Sequence, residues 1–115
     1  MKVLAYAAGV ALATALAAAA AAGQEADGRM LYLKNCRQCH GATGVPSPQS
    51  RHKYPKIQTL ADPAFMSKVS DDSLVAVMKH GGKEMRSFSE KLSPAEMAAV
   101  AKYVRTLASA APKPE

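Results

Sequence analysis

The chain has 115 residues, 15 Lys and Arg against 9 Asp and Glu, and 49% hydrophobic residues. This length suits one small domain and leaves no room for two. The formal net charge of +6 favours anionic partners. However, no dense block of Lys and Arg with interleaved aromatic residues occurs, which argues against a nucleic-acid partner.

The apolar residues are concentrated at the amino terminus, where 19 of the first 22 residues are apolar. Met1-Lys2 precedes an apolar segment, Val3 to Leu16, and an alanine run that ends at Ala22. This order is typical of a signal peptide with a small-residue cleavage site. We therefore expect residues 1–22 to direct export to the periplasm, and residues 23–115 to form a domain without a membrane span. The alternative is an uncleaved anchor, because about 20 apolar residues span a bilayer.

The remaining 93 residues are poorly supplied with core side chains. Only 37 of them are hydrophobic, and they include no Trp, two Phe and three Tyr. A domain of this size buries only about 60–65% of the surface that its unfolded chain exposes. The composition therefore indicates that something other than side chains helps to fill the centre.

The sequence of the first half of the domain predicts short helices separated by an irregular loop. Apolar residues among polar ones predict a helix from about Asp27 to Cys36. Residues 41–54 contain two Gly and two Pro with almost no apolar periodicity, which predicts an irregular loop. A short helix is expected to begin at Asp62-Pro63.

The second half of the domain carries clearer helix signals. A capped helix of about nine residues is predicted from Asp71 onward, and Gly81-Gly82 ends it. Ser93-Pro94-Ala95-Glu96 combines an N-cap, a first-turn Pro and a capping-box Glu, and a helical apolar stripe follows. Residues 108–115 are expected to form a disordered tail. No strand pattern occurs, so the fold class is all-α, with three to five short helices.

The two cysteines belong to one motif, Cys36-Arg37-Gln38-Cys39-His40, which is the C-x-x-C-H signature of c-type haem attachment. The two thiols are placed to bond the two vinyl groups of one covalently held haem, and the adjacent His40 to ligate its iron. A dithiol redox pair is one alternative, but it belongs in a βαβ context. A zinc half-site is another, and it needs further ligands such as His52 or His80.

The second axial position has several candidates. His/Met ligation is typical of electron-transfer haems. Met78 and Met97 lie on apolar helical stripes, where core packing explains them. Met85 lies in a predicted loop, so we expect it to be the ligand, with His80 or His52 as bis-His alternatives and an open iron as a further possibility.

The mature chain resembles the class I cytochrome c family. Gly28 and Tyr32 stand eight and four residues before Cys36, where the family has its glycine and aromatic residue. The C-x-x-C-H-G motif, Pro55 ahead of Leu60, and Met85-Arg86-Ser87-Phe88 follow in the family's order. Arg86 stands where the family usually has proline.

The resemblance implies a cytochrome c fold wrapped around one haem, with the first and last helices crossing. In this arrangement Gly28 and Tyr32 pack near Val100 and Tyr103. The resemblance further implies haem packing by Tyr32 and Phe88, and a hydrogen bond from His40 Nδ1 to the Pro55 carbonyl, which strengthens the ligand. The implied site residues are Cys36 and Cys39 for attachment, and His40 and Met85 for the iron.

These observations predict a monomeric one-electron carrier that makes and breaks no bond in a substrate, and is therefore not an enzyme. Its redox partners are expected to have an acidic docking face. The basic residues expected to border the haem edge are Lys53, Lys56, Lys79, Lys83, Arg86 and Lys91. The alternative is a haem subunit of a multi-component periplasmic oxidoreductase, such as a dehydrogenase or a sulfur-oxidising complex, with the loop from Pro46 to Leu60 as its interface.

Overall fold

The computed structural model describes residues 26–110, and this range is helical with no β-strand. The predicted signal peptide and residues 111–115 lie outside the described residues. None of the helices between residues 26 and 110 is long and apolar enough to cross a membrane. The helices in this range are α1 Gly28–Asn35, α2 Arg37–His40, α3 Pro48–Lys53, α4 Pro63–Met66, α5 Asp71–His80 and α6 Pro94–Ala110.

The helix termini follow the capping residues in the sequence. At the start of α6, the Ser93 N–H donates to Glu96 Oε1 at 2.9 Å and the Glu96 N–H donates to Ser93 Oγ at 3.2 Å, which completes the predicted capping box. Ser70 caps α5 by accepting from the Ser73 N–H at 3.1 Å. Gly81 ends α5 with a φ of 74°, a left-handed conformation that favours glycine.

Three predictions about the helices were wrong. Residues 41–54 are not wholly irregular, because the Ser47 cap and Pro48 at the first position start α3. Together with α2, which immediately follows α1, this gives six helices in the described range rather than three to five. Residues 108–110 were predicted to belong to a disordered tail, but they belong to α6 and Ala108 packs into the core.

The frame of the fold is the crossing of α1 and α6. A Cβ atom added to Gly28 would lie 2.1 Å from the carbonyl oxygen of Ala99, so only glycine permits this close approach of the two helices. The rings of Tyr32 and Tyr103 meet with their centroids 5.4 Å apart, and Tyr32 and Val100 are fully buried. The predicted packing of Gly28 and Tyr32 against Tyr103 is therefore confirmed.

Arg105 attaches the segment between α4 and α5 to the last helix. Its Nη1 donates to the Met66 carbonyl at 2.7 Å, and its Nη2 donates to the Val69 carbonyl. Its Nε forms an ion pair with Asp71 at 2.7 Å. Because these partners lie on both sides of a turn, a single guanidinium sets the path of the chain into α5.

Candidate functional site

A cleft lies between α2, the segment 54–58 and the loop 82–91. It consists of a larger cavity of about 430 Å³ and a smaller one of about 230 Å³. The residues that line both cavities are Cys36, His40, Gln58, Val77 and Met85. Since the two cavities share these walls, they are neighbouring parts of one cleft.

The cysteine motif lies at the junction of two helices. Cys36 is both the C-cap of α1 and the N-cap of α2, and Cys39 lies within α2. Both side chains are half-buried, form no disulfide and line the larger cavity. The change from α1 to α2 at Cys36 thus presents both thiols to the same cleft.

The electrostatics of Cys36 argue against a reactive dithiol. Burial, with a smaller contribution from Cys39, raises the pKa of the Cys36 thiol to about 11. Catalytic cysteines in redox pairs have a lowered pKa, because the thiolate is the nucleophile. Within residues 26–110, no group of three His, Cys, Asp or Glu side chains is placed to hold a metal ion, so the zinc alternative lacks a ligand set.

His40 lies in the cleft with one ring nitrogen anchored. Its Nδ1 is 3.3 Å from the carbonyl oxygen of Gln58, and since a carbonyl only accepts, Nδ1 carries the proton. Burial lowers the pKa of His40, which favours the neutral ring. A neutral imidazole protonated on Nδ1 leaves Nε2 free to ligate a metal.

The carbonyl group that orients His40 is not the one predicted from the sequence. The resemblance implied Pro55, but the structure places the Gln58 carbonyl at hydrogen-bond distance. Pro55 is solvent-exposed in the turn where the Ile57 N–H donates to the Tyr54 carbonyl at 3.0 Å. This turn brings the chain back toward α2 three residues after Pro55.

Tyr32 connects the helix crossing to the cleft. Its hydroxyl donates to the carbonyl of Gly41 at 2.6 Å, and its side chain lines the smaller cavity. Burial raises the pKa of Tyr32 well above its usual value, so the hydroxyl keeps its proton. The side chain therefore restrains the residue that directly follows His40.

Met85 approaches the cleft from the loop after α5. Its side chain is half-buried and its residue lines both cavities, and the Gly82 N–H donates to its carbonyl at 2.8 Å. Phe88 is buried beside it in the wall of the larger cavity. The structure therefore brings Cys36, Cys39, His40, Met85, Tyr32 and Phe88 to the walls of one cleft.

The competing ligand candidates lie elsewhere. His52 and His80 are exposed and line neither cavity. Met78 lines only the smaller cavity and is buried on the face of α5 that packs into the core. The placement of Met85 at both cavities separates it from these alternatives.

The residues of the cleft fit a haem. Two thiols, an imidazole with a free Nε2 and a thioether face the same space, and most side chains in the wall of the smaller cavity are apolar. Sequence reasoning did not identify Gln58 or Glu84 as cleft residues. Both come from loops without a motif, so no sequence signal pointed to them.

A helical frame that presents a C-x-x-C-H motif and a methionine to one cleft defines a c-type cytochrome. The family model described as "Cytochrome C oxidase, cbb3-type, subunit III" matches residues 23–104. The chain belongs to this family of c-type cytochrome domains, which carry haem c and transfer electrons.

Solved structures agree with this assignment. The chain is similar to the KustC0563 c-type cytochrome, with 33% identity and a TM-score of 0.65 over 70% of this chain and 96% of that one. A tyrosine-to-phenylalanine variant of Kustc0563 gives 32% identity and a TM-score of 0.64 over 70% of this chain and 98% of that one. No curated protein sequence matches significantly. The predicted all-α cytochrome c fold is thereby confirmed.

Proposed function

We propose that the protein is a periplasmic one-electron carrier with one haem c bound covalently through Cys36 and Cys39. His40 and Met85 would hold its iron. The observation that carries this proposal is that these four residues line one cleft. No other histidine of the described range lines it. The periplasmic location follows from the predicted signal peptide.

The bound haem supplies an iron that cycles between Fe(II) and Fe(III), and the protein determines its surroundings. The Gln58 carbonyl accepts from Nδ1 of His40, and this leaves Nε2 of the same ring free to bind the iron. Phe88 and Leu74 exclude water from the cleft walls. A thioether ligand from Met85 and an apolar wall both favour a raised reduction potential.

The charges at the cleft support an acidic redox partner. The basic residues that line the larger cavity are Lys34, Lys56, Lys83, Arg86 and Lys91. Four of the six residues expected from the sequence are among them, whereas Lys53 and Lys79 are not. Exposed cations around the cleft accelerate the encounter with an anionic surface and give a transient contact.

A second candidate function is a haem subunit of a multi-component oxidoreductase. The description of the matching family as an oxidase subunit favours it. The interface expected between Pro46 and Leu60 finds no support, however, because both of these residues are buried and Ile57 is half-buried. The monomeric carrier is therefore the function that we propose in preference to the subunit. A partner that co-purifies in a fixed ratio from dilute solution would reverse this order.

The proposed function is tested by visible spectroscopy of protein matured in a host that attaches haem c. Ferric wild-type protein should show the far-red methionine-to-iron band, and Met85→Ala should lose it. Met30→Ala is the control, because Met30 is 57% exposed and lines neither cavity. Haem that stays with the polypeptide on a denaturing gel, and leaves it in Cys36→Ser/Cys39→Ser, tests covalent attachment. A band that survives in Met85→Ala would refute the ligand assignment.

A further inference from the structure

We propose that residues 56–58 form a common anchor for the two ligand-bearing segments of the cleft, and that Glu84 is the positioning residue that ties the Met85 loop to this anchor. The inference rests on the proposed function, since it takes His40 and Met85 as the residues that would hold the haem iron. Below, "the anchor" means Lys56, Ile57 and Gln58.

The three residues of the anchor contact both ligand-bearing segments. At one end, the Gln58 carbonyl lies 3.3 Å from Nδ1 of His40. At the other end, the Lys56 N–H donates to Oε2 of Glu84 at 3.1 Å, and Glu84 directly precedes Met85. The anchor itself is tightened by the Gln58 side chain, whose Nε2 is 3.4 Å from the Lys56 carbonyl. One short segment therefore sets the positions of both walls.

Apart from hydrogen bonds within the loop 82–91 itself, the other hydrogen bonds of this Met85 loop hold it to α5 rather than to the opposite wall. The Phe88 N–H donates to the Met78 carbonyl at 2.7 Å, and Ser87 Oγ donates to the Lys79 carbonyl at 2.6 Å. Within residues 26–110, the hydrogen bond from Lys56 to Glu84 is the one that joins this loop to the anchor. Glu84 thus restrains the cleft width beside Met85, which the contacts to α5 do not.

Loss of the Glu84 carboxylate should let the Met85 loop move away from the anchor while its attachment to α5 persists. Met85 would then leave the iron more often, and an external ligand would bind faster. A neutral amide at position 84 keeps an oxygen that accepts from the Lys56 N–H. Glu84→Gln should therefore restore most of the restraint, which distinguishes the hydrogen bond from the charge.

The test compares Glu84→Ala, Glu84→Gln and Glu90→Ala in the haem-loaded protein. Glu90 is an exposed carboxylate of the same connection between α5 and α6, so its removal changes the net charge equally. Two quantities are measured: the rate at which imidazole replaces methionine in the ferric protein, by stopped-flow absorbance, and the hydrogen exchange rate of the Lys56 amide in the ferrous protein, by NMR.

We expect Glu84→Ala to raise both rates by about 2- to 10-fold, the range for one net hydrogen bond. Glu84→Gln and Glu90→Ala should stay within about twofold of wild type, since neither removes the bond. Unchanged rates in Glu84→Ala, or an equal rise in Glu90→Ala, would overturn the proposal. A wild-type protein without the methionine band would instead contradict the proposed function, and the exchange rate of Lys56 would still report on the contact with Glu84.

Discussion

The hydroxyl of Tyr32 donates a 2.6 Å hydrogen bond to the carbonyl of Gly41, nine residues later in the chain. Tyr32 also packs against Tyr103 of α6, so one side chain joins the helix crossing to the residue after His40. The haem motif is therefore held by the same side chain that packs in the helix crossing. This coupling makes the hydroxyl a specific target for mutation.

Tyr32→Phe should destabilise the protein by about 1–3 kcal/mol, because the Gly41 carbonyl loses its donor in a part-buried position. The free energy of unfolding of the holoprotein in guanidinium chloride measures the effect. Tyr103→Phe is the matched control, since its hydroxyl makes no hydrogen bond within residues 26–110. Equal stability of Tyr32→Phe and wild type would show that the bond contributes nothing net.

Gly28→Ala should destabilise the protein by at least about 1–3 kcal/mol, the usual cost of overpacking. Alanine is the better helix former, but its Cβ would lie 2.1 Å from the Ala99 carbonyl oxygen and force α1 away from α6. Thermal unfolding measures the effect. Gly82→Ala is the control, because a Cβ there meets no atom within 4 Å. A Gly28→Ala variant as stable as wild type would disprove the close crossing.

Arg105→Lys should cost about 1–3 kcal/mol of stability, because an ammonium cannot reproduce the fork that reaches Met66 and Val69. The ion pair with Asp71 is exposed, so Asp71→Asn should cost less than about 1 kcal/mol. Denaturant unfolding of both variants gives the comparison. If Asp71→Asn lost more stability than Arg105→Lys, the ion pair rather than the hydrogen bonds to Met66 and Val69 would be the main stabilising contact of Arg105. Arg29→Lys, on exposed surface of α1, controls for the substitution itself.

Electron exchange with the anionic complex hexacyanoferrate should slow as ionic strength rises, because salt screens the basic residues at the cleft. Lys83→Glu, at the cleft, should lower the rate by at least about twofold at low salt and flatten the salt dependence. Lys102→Glu makes the same charge change on α6, outside both cavities, and should have a smaller effect. Stopped-flow measurement of the electron-exchange rate at several salt concentrations compares the Lys83→Glu and Lys102→Glu variants. Equal effects would indicate net charge rather than local steering.

Local signals in the sequence were sufficient for most helix boundaries. The capping box at Ser93 and Glu96 and the stop at Gly81 act through hydrogen bonds and backbone conformations within one turn, so neighbouring residues determine them. The helix α3 was missed because its residues are polar and exposed, and therefore show no apolar stripe. Ala108 was assigned to the tail, but contact with the core keeps α6 helical there.

The sequence by itself determined the chemistry of the site, since two thiols and an imidazole at fixed spacing lie within one turn of chain. It also singled out Met85 as the methionine of a loop. Only the tertiary structure decided that the Gln58 carbonyl orients His40 and that Glu84 joins the Met85 loop to Lys56. These contacts join residues 18 and 28 positions apart, and the packing of the loops around the cleft, rather than any local preference, brings them together.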